Sequence, residues 1–423
     1  MTVSVAGQFP KPEFTAEVVA DQLRDGYWLE AADVDGDGLP DLIGCGLTLG
    51  EIAWYRNDDW ARNLAVNKVH MPVGLDVADL TGTGTPDIIA CYELYGPGGT
   101  IHHPNAEGGK IDWLEHPGPE GLREGRTWQR HYIGNTVGMH RLRVGHFTRT
   151  DRWEIIGLPI VAMEGVHALL PVVMFTQPED PRSAGPWPMT VIDDTHFRMI
   201  HGATRKSGLI PDSDLDSLLL ASDEGVTWLY FDQATQAWRR ELIGTGELGV
   251  FERTGFKGSG DVDSGRVGDD PMAYVAAIEP YHGNSVAVYV RDGAAEDPGD
   301  GGPGWRRVLL DVFGEPNENG EGTGHSVLCA DFDGDGDDEF LIGLRGPAPW
   351  QGVFLYKAID VHNGAFLKWR IATESAARVI AADFNGDGTH DFATIAYKVP
   401  HYYEAPDAKL MVYRNGLGKP TQK

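Results

Sequence analysis

The stretches DVDGDGLPD at residues 33–41, DFDGDGDDE at residues 331–339 and DFNGDGTHD at residues 383–391 are close copies of one another. Each places oxygen-bearing side chains at alternate positions, with glycines between them. Alternate carboxylates on a tight turn that glycine permits form an oxygen cage suited to Ca²⁺ or Mg²⁺. The sequence therefore predicts three structural cation turns with the ligands Asp33, Asp35, Asp37 and Asp41; Asp331, Asp333, Asp335 and Glu339; Asp383, Asn385, Asp387 and Asp391.

Apolar, strand-like runs flank each acidic turn, such as DLIGCG at residues 41–46 and EFLIGL at residues 339–344. The same frame recurs with other side chains, giving onsets near residues 28, 74, 140, 201, 262, 325 and 378. Repeats roughly 45–70 residues apart are typical of propeller blades with long loops. Residues 13–20 could supply the fourth strand that the seventh unit lacks. We therefore predict an all-β, seven-bladed β-propeller over residues 1–423, closed by an N-terminal strand.

Composition narrows the classes of partner and compartment. The 423 residues carry a formal net charge of −28, which disfavours nucleic acid as a partner. The three cysteines, Cys45, Cys91 and Cys329, lie in apolar strands and are expected to be core thiols. The N-terminal sequence has no basic and apolar regions typical of a signal peptide, and no run of about 18 apolar residues follows. We therefore expect a cytoplasmic protein with no membrane partner.

The histidines are unevenly distributed over the predicted blades. The loop into a blade's first strand and the loop between its second and third strands lie on one face, opposite the acidic turns. Eight of the 15 histidines fall in these loops or strand starts: His102, His103, His140, His167, His201, His282, His325 and His401. A single histidine there usually satisfies a loop carbonyl. Three at equivalent positions of three blades (His140, His201 and His325), with His282 nearby, favour a shared pocket for a metal or a proton transfer.

Several longer segments resemble one enzyme family beyond the FG-GAP/VCBS type of blade repeat. They are DGYWLEA (25–31), GMHRLRVGHFTRTDR (138–152), GRVGDD (265–270), YHGNSVAVY (281–289) and HSVLCADFDGDGDDEFLIG (325–343). These segments look like the propeller of the fungal aldos-2-ulose dehydratase/isomerase family. In that family, cupin-type domains implicated in isomerisation follow the propeller. The sequence ends at Lys423, so we expect the dehydratase half of the activity.

The resemblance implies a hydro-lyase that dehydrates a 2-keto sugar, such as 1,5-anhydro-D-fructose, to an enone of the ascopyrone M type. It implies proton transfer by His140 and a divalent transition metal, Zn²⁺ in our interpretation, on His201, His282 and His325. Arg141, Tyr281 and Tyr402 could complete the catalytic pocket. Further substrate contacts are expected from Tyr27, Trp28, His102, His103, Arg378 and His401. The chain could also form a homodimer.

Two other functions are compatible with the sequence. A uronate-specific polysaccharide lyase would use a similar proton abstraction and would need a basic residue, such as Arg141 or Arg378, to neutralise the substrate carboxylate. The lack of a secretion signal argues against it. A non-catalytic glycan- or protein-binding propeller would explain the fold but not the histidines.

Overall fold

The structure of the protein is a computed structural model that describes residues 11–183, 185–292 and 302–417. Residues 1–10, on which the expectation about a signal peptide largely rests, lie outside the described residues. Among the described residues, no helix is long and apolar enough to cross a membrane.

The described chain forms seven four-stranded antiparallel sheets, one per blade. Blade one contains β2 (Trp28–Ala32), β3 (Asp41–Cys45), β4 (Glu51–Tyr55) and β5 (Arg62–Asn67). Blade two contains β6 (Gly74–Ala78), β7 (Asp87–Tyr92), β8 (Lys110–Glu115) and β9 (Gln129–Asn135). Blade three contains β10 (Met139–Gly145), β11 (Glu154–Pro159), β12 (Val172–Thr176) and β13 (Met189–Asp193). Blade four contains β14 (Gly202–Lys206), β15 (Ser217–Ser222), β16 (Gly225–Asp232) and β17 (Ala237–Gly244). Blade five contains β18 (Asp261–Val267), β19 (Asp270–Glu279), β20 (Ser285–Arg291) and β21 (Trp305–Val312). Blade six contains β22 (Gly324–Ala330), β23 (Glu339–Leu344), β24 (Gly352–Asp360) and β25 (Ala365–Ala372). Helix α1 is a short segment, Gly118–Arg123, before β9.

The seventh blade joins the two ends of the chain. It contains β26 (Arg378–Ala382), β27 (Asp391–Ile395), β30 (Leu410–Asn415) and, as its fourth strand, β1 (Phe14–Ala20). β1 pairs antiparallel with β30, with Phe14 opposite Asn415 and Val18 opposite Met411. A short hairpin of two strands, β28 (Lys398–Val399) and β29 (Tyr403–Glu404), lies between β27 and β30 in the chain; each strand has two residues. The predicted seven-bladed propeller with an N-terminal closing strand is confirmed.

Burial explains the apolar runs seen in the sequence. The second strands β3, β7, β11 and β15 are buried at every position because neighbouring blades cover both faces of the sheet. The fourth strands, such as β5 and β17, carry exposed residues at the rim. The innermost strands contact one another around the ring, β2 with β6 and so on to β26 with β2. Residues at the starts of these strands therefore gather at one end of the axis.

A recurrent side-chain hydrogen bond connects neighbouring blades. Asn57, just after β4, donates from Nδ2 to the main-chain oxygen of Phe384 in the preceding blade, at 2.8 Å. The same bond is made by other residue types at the equivalent position: His116 Nε2 to Val34 O, Gln177 Nε2 to Leu80 O, and Asn415 Nδ2 to Phe332 O. Each of these bonds satisfies a turn carbonyl, which would cost free energy if it were buried without a partner.

Candidate active site

Four histidines meet at the end of the axis where the innermost strands begin. His140 and His325 are the second residues of β10 and β22, and His201 immediately precedes β14. His282 comes from the loop between β19 and β20, with a φ of 46°. The ring of His201 lies 5.1 Å from that of His140, 4.5 Å from that of His282 and 5.2 Å from that of His325, between centroids. All four are buried.

Hydrogen bonds at Nδ1 orient three of these rings. His201 Nδ1 lies 2.6 Å from Gly260 O, and His325 Nδ1 lies 2.6 Å from Ala377 O. His282 Nδ1 lies 2.7 Å from a carboxylate oxygen of Glu321. Because a carbonyl or carboxylate can only accept, each Nδ1 carries the proton and each Nε2 keeps its lone pair.

The three Nε2 atoms point at a common region. The Nε2 atoms of His201 and His282 are 3.0 Å apart, and His325 Nε2 has no hydrogen-bond partner among the described residues. One ligand atom from each ring lies within 4.8 Å of the others. Burial lowers the pKa of all three imidazoles, which favours their neutral forms. Three neutral nitrogens with anchored Nδ1 atoms are a donor set that fits a transition metal such as Zn²⁺.

A second group lies beside this cluster. The Tyr27 hydroxyl is 3.1 Å from His140 Nε2 and accepts a hydrogen bond of 2.8 Å from Arg141 Nη2. Arg141 Nη1 donates to His140 Nε2 at 3.0 Å, and Nη2 lies 3.5 Å from His201 Nε2. Burial and then the charge of Arg141 hold the pKa of His140 well below its usual value. The structure thus joins a neutral imidazole, a phenol and a guanidinium at the edge of the three-histidine cluster.

Arg141 is a fully buried cation with 0% exposure. Its hydrogen bonds go to Val73 O, His140 O, the two imidazoles and the Tyr27 hydroxyl, and within the described chain none of these partners is a carboxylate. Its Nε has no hydrogen-bond partner among the described residues. A buried guanidinium with neutral partners is suited to stabilise negative charge on a bound molecule.

The two remaining predicted catalytic residues lie on the other side of His282. Tyr281 stacks on the His282 ring, with centroids 4.1 Å apart. Tyr402, between β28 and β29, donates from its hydroxyl to Glu321 Oε1 at 2.6 Å and lies 3.5 Å from His282 Nδ1. Of the predicted catalytic residues, Tyr402 alone is exposed, at 53%. It therefore lies between the buried cluster and solvent.

Glu321 and Arg345 were not among the residues predicted from the sequence. The carboxylate of Glu321 accepts hydrogen bonds from His282, Tyr402 and the fully buried Arg345. Both residues lie on the face that carries the histidines, Glu321 in the loop before β22 and Arg345 just after β23. The sequence signal for them was their position in loops of the histidine face, whereas their burial and pairing follow only from the structure.

The predicted substrate-binding residues have different surroundings. Tyr27 contacts His140 and Arg141 beside the three-histidine cluster. Trp28 is 1% exposed, with the guanidinium of Arg378 3.9 Å and that of Arg141 4.5 Å from its ring centroid, so its indole contacts both cations. His102, His103 and His401 are exposed on loops. The main-chain contacts of the last two are local, His103 with Thr100 and His401 with Glu404. Direct substrate contact by these three residues stays a prediction.

The three acidic turns differ in structure. In the first, carboxylate oxygens of Asp33, Asp35 and Asp37 lie within 4.8 Å of one another. Asp41 lies outside this group, because its oxygens accept from the backbone N–H groups of Val34 and Asn57. Burial raises the pKa of Asp41 to about 7. Gly36 and Gly38 make the turn possible, with φ of 80° and 94°.

The third turn resembles the first in its hydrogen bonds. Asp383 accepts from the backbone N–H groups of Asp387 and Gly388, and Asn385 Nδ2 donates to Asp387 Oδ2 at 3.1 Å. Asp391 accepts from the backbone N–H groups of Phe384 and Asn415, as Asp41 does in the first turn. The last acidic residue of each of these two turns therefore holds backbone in place.

The second turn already contains a cation from the chain itself. Lys357 Nζ lies 2.7 Å from Asp333, 2.8 Å from Asp335 and 2.7 Å from Glu339. The strand registers make Arg56 the equivalent residue in the first blade, since Tyr55 pairs with Leu42 as Tyr356 pairs with Phe340. Arg56 turns away and pairs with Asp59 at 2.5 Å. The ammonium of Lys357 thus stands where the sequence predicted a bound metal ion.

We expect Lys357→Met to destabilise the protein in metal-free buffer and to make its melting temperature respond more strongly to Ca²⁺ than that of the parent, whose other acidic turns are unchanged. Removing the ammonium leaves Asp333, Asp335 and Glu339 without their counter-charge. Because the site is partly exposed, the loss should stay below the about 3–5 kcal/mol of a fully buried pair. Thermal unfolding with chelator and with added Ca²⁺ measures both effects. Arg56→Met is the matched control and should change neither. A Lys357→Met variant as stable as the parent without metal would contradict the ammonium's role.

Sequence comparison finds similarity to one enzyme family and to one type of blade repeat. Residues 108–292 match the family described as aldos-2-ulose dehydratase, beta-propeller domain, and residues 33–90 match an FG-GAP-like repeat. The chain is 36% identical over 426 aligned residues to aldos-2-ulose dehydratase of Phanerodontia chrysosporium. The alignment covers 95% of this chain but 46% of that protein, so the chain spans about half the length of its relative.

Solved structures are similar at the level of the fold. One chain of the crystal structure of BBS1N in complex with ARL6DN has 9% identity and a TM-score of 0.50, with 94% of this chain and 95% of that chain covered. A luciferin-regenerating enzyme has 10% identity and a TM-score of 0.45, with 95% of each chain covered. The sequence comparisons confirm the resemblance inferred from the sequence: the chain is similar over 95% of its length to an aldos-2-ulose dehydratase, and its residues 108–292 match the β-propeller domain of that family.

Proposed function

We propose that this chain removes water from a 2-keto sugar, such as 1,5-anhydro-D-fructose, by metal-assisted β-elimination. The observation that carries the proposal is the convergence of three neutral imidazole nitrogens beside the buried Arg141 and the Tyr27–His140 pair. The printed name of the Phanerodontia relative, aldos-2-ulose dehydratase, supports this reaction class.

In this reaction the C3–H bond of the sugar breaks and its electrons form an enolate with the C2 carbonyl. The enolate then expels the C4 hydroxyl, which leaves as water, and an enone remains. His140 accepts the C3 proton at Nε2, because its imidazole is neutral. The Tyr27 hydroxyl, 3.1 Å from that nitrogen, passes a proton to the leaving C4 hydroxyl and recovers one from His140. The proton taken from C3 thus replaces the one that Tyr27 gives to the water, and both residues return to their starting forms.

The negative charge of the enolate is the main electrostatic demand of the reaction. Arg141 meets it with a guanidinium that is already desolvated and has neutral hydrogen-bond partners, so little reorganisation is needed. A Zn²⁺ held by His201, His282 and His325 would act as a Lewis acid on the C2 carbonyl. Tyr402, exposed at the edge of the buried cluster, is the group that an entering sugar would displace.

The direct experiment incubates the full chain, loaded with Zn²⁺, with 1,5-anhydro-D-fructose and follows the ultraviolet absorbance of the enone. We expect the absorbance to rise with time, and more slowly with substrate deuterated at C3, since that bond breaks in the reaction. A folded, Zn²⁺-loaded protein that produces no enone from this sugar would contradict the proposal.

A second candidate, a uronate-specific lyase, is favoured by one observation. Arg141 has no carboxylate among its hydrogen-bond partners in the described chain, so it could neutralise the carboxylate of a uronate. Such an enzyme would form an unsaturated uronide from oligouronates. If the product absorbance rises with oligouronates but not with the keto sugar, the lyase proposal replaces the dehydratase proposal. Glycan binding without any product would leave a non-catalytic propeller.

A further inference from the structure

Glu321 occupies an unusual position beside the three-histidine cluster. It is 9% exposed and lies in the loop before β22. Its Oε2 accepts from His282 Nδ1 at 2.7 Å and from Arg345 Nη2 at 2.5 Å, and its Oε1 accepts from the Tyr402 hydroxyl at 2.6 Å. A buried carboxylate with this many charge-assisted bonds holds its partners in a defined geometry.

The three histidines of the cluster are anchored in two different ways. His201 and His325 lie at the starts of inner strands, and their Nδ1 atoms bond main-chain carbonyls. His282 instead lies on a loop, with φ in the left-handed region at 46°, and its Nδ1 bonds a side chain. The ring of His282 therefore depends on the Glu321 side chain for an orientation that the other two rings receive from main-chain carbonyls.

The loop that carries Glu321 is itself held in place. The backbone N–H of Glu321 donates to Asn317 Oδ1 at 3.0 Å, and that of Gly322 donates to His282 O at 2.6 Å. Arg345 is fully buried and lies over the ring of Tyr403, 4.2 Å from its centroid. This guanidinium balances the carboxylate charge, which would otherwise be costly at such a buried position.

We propose that Glu321 is a positioning residue that aims His282 Nε2 at the metal, with Arg345 as its counter-ion. This inference rests on the metal site of the proposed function. Residues that fix the second nitrogen of a ligating histidine commonly affect metal affinity by about 10–100-fold. Glutamine in place of Glu321 has the same shape, but its amide presents N–H groups toward His282 or Arg345, which are both donors. Glu321→Gln should therefore weaken metal binding by about 10–100-fold.

The experiment titrates the metal-free protein with Co²⁺, whose visible absorption reports on its ligands, and then with Zn²⁺ in competition with a chelator. We expect Glu321→Gln to bind both ions more weakly and to show an altered Co²⁺ spectrum. The matched control is Glu279→Gln. Glu279 is a buried carboxylate with 0% exposure that also accepts from a tyrosine, Tyr289, and pairs with an arginine, Arg307. This control should lose stability but keep the Co²⁺ spectrum and affinity of the parent.

A second variant covers the case in which the glutamine protein fails to fold. Glu321→Asp keeps the charge opposite Arg345 but shortens the reach to His282, so it should fold and still bind Co²⁺ more weakly. Parent-like affinity and spectrum in either folded variant would overturn the positioning role and leave the dehydratase proposal intact. A parent protein that forms the enone but binds no Co²⁺ would overturn the metal site and the positioning role, and would leave the dehydration itself intact. A parent that binds Co²⁺ with the expected dependence on Glu321, but forms no enone, would overturn only the proposed reaction.

Discussion

Replacing His140 by glutamine should lower the rate of sugar dehydration by about 10²–10⁴-fold, the usual contribution of one general acid–base group. His140 Nε2 is the nitrogen in contact with both Tyr27 and Arg141, and glutamine can replace the hydrogen bonds but cannot accept the C3 proton. Tyr27→Phe should have an effect of similar direction, because it removes the hydroxyl 3.1 Å from that nitrogen. Turnover, melting temperature and bound metal are measured on the same preparations.

The same assignment predicts a pH dependence. Burial and the charge of Arg141 hold the pKa of His140 well below its usual value, so the imidazole stays neutral as the pH falls through about 6.5. The proton-accepting form, and with it kcat/KM, should therefore persist below the pH at which an ordinary histidine becomes protonated. A loss of kcat/KM centred near the ordinary histidine pKa would contradict this assignment.

His116 provides the control for the His140 variant. It is also a buried histidine, but its Nε2 bonds Val34 O between the first two blades. His116→Gln should lower stability and leave turnover of the folded enzyme unchanged. Near-parental turnover in His140→Gln would remove His140 from the mechanism.

Removing one of the three cluster histidines should abolish both metal binding and most of the dehydration. In His325→Ala the Nε2 that has no hydrogen-bond partner among the described residues is lost, and two imidazoles remain. Loss of a Lewis acid worth several kcal/mol lowers the rate by about 10³-fold or more. Metal content by mass spectrometry and turnover with 1,5-anhydro-D-fructose are the two measurements.

A chelation experiment on the parent protein distinguishes the role of the three-histidine cluster from that of the acidic turns. After chelation, added Zn²⁺ should restore turnover, whereas added Ca²⁺ should restore only melting temperature, through oxygen ligands such as Asp33 and Asp35. Full turnover of the chelated protein would show that the reaction needs no metal on the three imidazoles, and full turnover of His325→Ala would remove His325 from the mechanism.

The fold followed closely from the sequence because its determinants are local. The acidic turns, such as residues 33–41, and the glycines within them set the connection between the first two strands of a blade. The buried second strands read as apolar runs, and the missing fourth strand of the last blade could be found at residues 13–20. The loop order within a blade also predicts which face a residue occupies, which placed His140, His201 and His325 at the same end of the axis.

The partners of these residues were decided by the tertiary structure. Glu321 meets His282 and Tyr402 across separations of 39 and 81 residues, through loops whose paths no local pattern specifies. Lys357 reaches the turn at residues 331–339 while the equivalent Arg56 does not reach its own turn, a difference of side-chain direction. The sequence by itself determined the seven blades and the face of the histidines, because both depend on short-range periodicity and chain order. The orientation of each imidazole and the counter-charges around it depend on contacts between distant loops, which only the folded ring brings together.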